Sequence, residues 1–211
     1  MSVYLEKQEI EVSKKFLKNG YIILKQKNLT HLKYIKNLIV KKSAKILGVN
    51  QPKDNNSEKF LNNIHKDIKI KDLNEFRLQI INYINEDKDF KKNYFYSAKN
   101  LLFTLVSNEL AMQSRINLSI QLPKDDSSLL PVHSDIWSGD SPFEVVVWIP
   151  LVNCYSTKTM YILKPEKYKK IHQNFSKYIG KSSLDFYKSI KNDVEWIKIN
   201  FGEVLIFNQA L

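Results

Sequence analysis

The chain has 211 residues, 43% of them hydrophobic and 12% aromatic, which supplies one sizeable core and excludes a disordered chain. The formal net charge is +11, yet only Arg77 and Arg115 among the 33 basic residues are arginines, and the lysines are scattered singly or in pairs such as Lys41-Lys42. Base readout leans on bidentate arginine, so the charge is read as a solvated lysine-rich surface, with an acidic or phosphorylated partner as the lesser alternative and no nucleic-acid partner.

The first half of the sequence has helical character. An opening helix is punctuated by Asn19-Gly20 and followed by a short β-prone run, Tyr21 to Leu24. Thr30 to Leu47 repeats apolar residues at Leu32, Ile35, Leu38, Ile39 and Ile46, close to a helical period, with Gly48 placed as a C-cap. Residues 51–57 (QPKDNNS) have loop composition. Asp72 and Glu75 have the spacing of a capping box for a helix carrying Leu73, Phe76, Ile80, Ile81 and Ile84. A further helix is expected from about Phe90 to Leu110.

The second half changes period. Ile116 to Leu122 alternates apolar and polar residues, as a half-buried strand does. Phe143 to Val152 (FEVVVWIPLV) is continuously apolar and is expected to be a central strand. Thr159 to Leu163 predicts a short strand, and Tyr168 to Ile190 a helical insertion broken near Gly180. Val194 to Ile199 alternates again, and Gly202 separates it from the strand Val204 to Phe207. Several short strands with turns between them suggest a sandwich or barrel.

No apolar run reaches the roughly 20 residues of a membrane span. No apolar h-region opens the chain, and the lone Cys154 fits a reducing compartment, so a cytoplasmic location is expected.

The stretch that carries chemistry is Gln121 to Pro150, and within it the triplet His133-Ser134-Asp135. In an extended chain, residues two apart point to one side, so an imidazole and a carboxylate converge on one ion. They would be two of the three ligands of a 2-His-1-carboxylate site, which leaves open positions on iron(II) for a chelating 2-oxoacid and for O₂. The same triplet also suits a loop histidine hydrogen-bonded to a neighbouring carboxylate. A turn-rich loop (PKDDSSLLP) precedes the triplet and an apolar run follows it. Trp137, in the polar loop beside the pair, is a candidate for substrate contact, and Trp148 for a core or pocket wall.

From Asn117 to Tyr161, with NLSIQLP, SSLLPVHSDIWSGDSPFEVVVWIPLV and TKTMY, the sequence resembles 2-oxoglutarate- and Fe(II)-dependent oxygenases of bacterial surface-carbohydrate gene clusters, of the phytanoyl-CoA hydroxylase-like branch. The step from Phe16 through Gly20-Tyr21-Ile22-Ile23-Leu24 resembles the opening of that branch. The resemblance is dense over about 45 residues and thinner elsewhere. It implies an α+β domain over 1–211: a helical part over about 1–112 and a double-stranded β-helix, or jelly roll, over about 113–211. It also implies Fe(II), 2-oxoglutarate as cosubstrate, and a small-molecule substrate linked to cell-surface sugars. Asn117 and Gln121 share one side of their strand, which faces either the barrel interior near the cosubstrate or solvent, and on this resemblance Thr157 and Lys158 contact the cosubstrate's carboxylate.

The match is incomplete. The branch carries a second histidine just past a strand like Gly202 to Phe207 (GEVLIF), and an arginine further on; here Asn208 to Leu211 follow instead. Both groups are therefore expected beyond Leu211, the chain being cut short at its C-terminus and the stretch as it stands inactive. His172 is expected on a helix surface, away from the metal, while residues 207–211 should lie close to His133 and Asp135. His31 and His65 read as ordinary helix or loop residues. Three other readings remain: a non-catalytic jelly-roll binding module, a cupin-like sugar isomerase or epimerase, and a nucleic-acid-binding protein, whose binding would depend steeply on salt. Oligomeric state is not legible.

Overall fold

A computed structural model describes residues 6–126 and 129–210. In chain order the elements are α1 (Lys7–Asn19), β1 (Tyr21–Lys25), α2 (Thr30–Leu47), α3 (Ser57–Asn63), α4 (Leu73–Glu86), α5 (Phe90–Leu105), β2 (Val145–Trp148), β3 (Tyr161–Leu163), α6 (Pro165–Gln173), α7 (Ser183–Ile190), β4 (Val194–Trp196) and β5 (Glu203–Asn208). The fold is mixed α/β with small antiparallel sheets. No helix among the described residues is long and apolar enough to cross a membrane. The chain divides into two compact units: one takes the residues up to Leu24, Leu130–Trp148 and Cys154 onward, and the other Lys25–Leu129 with Ile149–Asn153.

In the first unit, α1 is held at its start by the Glu6 N–H donating to Glu9 Oε2 (2.9 Å) and ends on Gly20 at φ +77°. That left-handed turn costs glycine little, and it turns the chain directly into β1. β5 is the middle strand of the sheet β1-β5-β2, with Val145 opposite Asn208 and Trp148 opposite Leu205. Val204, Leu205 and Ile206 are all fully buried, so β5 is covered on both faces. The expectation that Phe143 to Val152 forms the central strand is corrected here. β2 is four half-buried residues at the sheet edge. The apolar run is continuous because it serves two cores: 145–148 joins this sheet, whereas Ile149 and Leu151 pack in the second unit.

A second sheet pairs β3 with β4, Tyr161 opposite Trp196, and Cys154 bridges Ile199 alongside. The helical segment before β4 breaks at Gly180 (φ +79°), as its sequence suggests, and starts earlier than expected because Pro165 supplies a preset first helical residue. Ile171, Phe186 and Ile190 from α6 and α7 bury against Leu163. The Tyr21 hydroxyl donates to Glu195 Oε1 (2.6 Å), and Lys164 Nζ lies 3.0 Å from the other carboxylate oxygen, which ties β1 to β4. The phenol and the ammonium hold the Glu195 carboxyl below its ordinary pKa, against the opposing effect of burial.

In the second unit, α2, α4 and the start of α5 enclose Ile35, Ile39, Phe76, Ile80, Ile84 and Phe90. Gly48 closes α2 at φ +68°. The capping box read at Asp72 and Glu75 does not form. Asp72 has αR backbone and its side chain caps nothing, while Glu75 accepts from Gln79 Nε2 (3.0 Å) one turn on. α5 stops at Leu105, five residues short of the expected end. Residues 116–122 join no strand ladder, yet their burial alternates as expected, with Ile116 and Leu122 buried and the polar positions between them exposed. The Asn85 amide takes the place of a neighbouring strand: its Nδ2 donates to the Ile116 carbonyl (2.8 Å) and its Oδ1 accepts from the Ile116 N–H (2.8 Å).

Candidate metal centre

Ser134 organises the centre. Its backbone is extended (φ −130°, ψ 132°), so His133 and Asp135 project to one side and Ser134 to the other. The Ser134 side chain is buried, and its Oγ donates to the Gln209 carbonyl (3.0 Å), one residue past the end of β5. Gln209 in turn donates from Nε2 to Glu144 Oε2 (3.1 Å), just before β2. A middle strand and its edge partner thus hold the loop that carries the pair. Asp135 opens a short 3-10 turn, Asp135–Ser138, with the Trp137 N–H donating to the Ser134 carbonyl (2.9 Å) and Gly139 ending it at φ +101°.

His133 Nδ1 lies 2.7 Å from the Pro131 carbonyl, which can only accept, so Nδ1 carries the hydrogen. Nε2 then faces Asp135 Oδ1 at 3.5 Å, and both side chains are partly exposed. A backbone acceptor on one imidazole nitrogen is the usual device that fixes the other as a metal donor. Donors 3.5 Å apart can share one ion, since such bonds are about 2.1 Å long. The pair therefore fits two positions of a divalent metal's coordination sphere. Among the described residues no third His, Cys, Asp or Glu joins them.

The other expected site residues are placed as follows. Trp137 is partly exposed, with its ring 5.1 Å from Phe175 and 5.6 Å from Phe186, so it is also a packing residue. Thr157 and Lys158 sit on the turn before β3, beside Ser156 at φ +54°, and Lys158 Nζ lies over the Tyr155 ring at 4.8 Å. Asn117 and Gln121 belong to the second unit and are exposed, so neither faces an interior there, because Ile116, Leu118, Ile120 and Leu122 take the inward positions. His172 is exposed on α6 and stacks on Tyr168 (5.7 Å). Gln209 lies against the triplet as expected of the late strand, and Leu211 falls outside the described residues. Ser134, Gln209 and Glu144 were missed by sequence reasoning. Only the position of Ser134 inside the triplet gave a signal, since its inward direction follows from the outward direction of its neighbours.

No family model, curated protein or solved structure matches the chain.

Proposed function

We propose that this chain is an Fe(II)- and 2-oxoglutarate-dependent oxygenase acting on a small, sugar-related molecule, with His133 and Asp135 as metal ligands. The observation that carries the reading is the pair itself: Nε2 turned toward Asp135 Oδ1 at 3.5 Å by the Pro131 carbonyl on Nδ1. Iron(II) with bound 2-oxoglutarate supplies the oxidising power for a C–H bond, drawn from O₂ and the oxoacid. The chain's own residues do the rest. Asp135 adds negative charge that favours a cation, the Ser134–Gln209 bond keeps the two donors aligned, and Trp137 forms a wall for the substrate. Thr157 and Lys158 are the candidates for the oxoacid's carboxylate. In this reading the strands β1, β5 and β2, with β3 and β4, belong to a jelly roll.

The test is succinate release from 2-oxoglutarate coupled to oxygen consumption, in the full-length wild-type protein and in its His133→Ala variant. Turnover in wild type and its loss in the variant support the reading. Retained turnover in His133→Ala removes these ligands, and an inert wild type that still binds a sugar favours a non-catalytic module.

A further inference from the structure

We infer that the cleft between α6 and α7 binds the phosphate group of a phosphorylated small molecule. Helical spacing brings Lys167, Lys170 and Ile171 to one side of α6. The turn after α6 adds Lys177 and Tyr178, and Ile190 from α7 completes a cleft of about 380 Å³. Lys167 is paired with Asp193 on the far wall. Among the described residues neither Lys170 nor Lys177 has an ion-pair partner, and the Tyr178 hydroxyl has no hydrogen-bond partner. Three ammonium groups and one carboxylate leave the cleft two positive charges in excess, which matches a phosphate monoester of charge roughly −1.5 to −2 at neutral pH. Ammonium and phenol donors suit phosphate oxygens, and Ile171 and Ile190 form a floor for a carbon skeleton.

The cleft joins the candidate metal centre through one aromatic cluster. Tyr178 meets Phe186 edge-on at 4.9 Å, and Phe186 meets Trp137 at 5.6 Å, two residues from Asp135. A ligand anchored by its phosphate at Lys170 and Lys177 would extend along these rings. Binding in the cleft does not depend on His133 and Asp135 holding a metal.

Calorimetric titration of the whole chain with inorganic phosphate, at about 0.15 M ionic strength, tests the site directly. Saturable one-to-one binding is expected in wild type. Lys170→Glu and Lys177→Glu should each weaken it by roughly tenfold or more, as loss of a charge-assisted bond and reversal of its charge require. Tyr178→Phe should weaken it a few-fold. Lys71→Glu, the same charge change at an exposed position of the second unit, should bind as wild type does. No saturable binding by wild type overturns the proposal. So does wild-type affinity in either cleft lysine variant, or a loss in Lys71→Glu equal to theirs.

Discussion

Ser134→Ala deletes one oxygen and no volume of consequence, so its effect isolates a single hydrogen bond. In the folded chain that hydroxyl satisfies the Gln209 carbonyl at 3.0 Å, and both residues are buried. Alanine leaves a buried acceptor unpaired, which costs about 1–3 kcal/mol. For a chain of this size each kcal/mol lowers Tm by roughly 2–4 °C, so a fall of several degrees is expected. The assay is direct, because Trp137, Trp148 and Trp196 all lie in the first unit and tryptophan fluorescence reports on that unit alone. Ser119→Ala, at an exposed site, should stay within about 0.5 kcal/mol of wild type. The same bond aligns His133 with Asp135, so iron(II) affinity should also drop by roughly tenfold in Ser134→Ala, as for other groups that orient metal ligands. Wild-type Tm together with wild-type metal affinity in that variant would refute the organising role given to Ser134.

Three further outcomes are expected. Leu205→Ala should cost about 2–5 kcal/mol and Val147→Ala less than half of that, since β5 is fully buried at Leu205 and β2 is half-exposed; equal costs in urea denaturation would reverse the strand assignment. The Glu195 carboxyl is held below its unfolded pKa of about 4.3, so its contribution is in place above that pH and is lost as pH falls through the depressed folded value. Tyr21→Phe should therefore flatten the fall of urea midpoints in that acid window, and parallel wild-type and variant curves would contradict this cause. His172→Ala should leave iron(II) affinity unchanged, because His172 is exposed and stacked on Tyr168; a large loss would make it the missing ligand.

What could be read from the sequence was set by local chemistry. The helix ending at Gly20, the limits of α2 and the break at Gly180 were legible because period and left-handed glycines act within a few residues. The outward pairing of His133 and Asp135 was legible for the same reason, being a property of one extended residue between them. Apolarity alone misplaced the central strand, because a run shared between two cores looks as buried as a strand covered on both faces. The Asp72 cap failed because the backbone there is already helical, which turns the side chain from the free N–H groups. The Tyr21–Glu195 and Ser134–Gln209 bonds join residues 174 and 75 positions apart, and no local pattern announces such partners.

The central claim is that His133 and Asp135 hold one divalent iron. Anaerobic calorimetric titration of iron(II) into the full-length wild-type protein and its His133→Ala and Asp135→Asn variants tests it most directly, since it reads the ligands without requiring turnover or a known substrate. One site is expected in wild type, with affinity reduced at least tenfold in each variant. Wild type that takes up no iron(II), or a His133→Ala variant that binds as wild type does, would contradict the account.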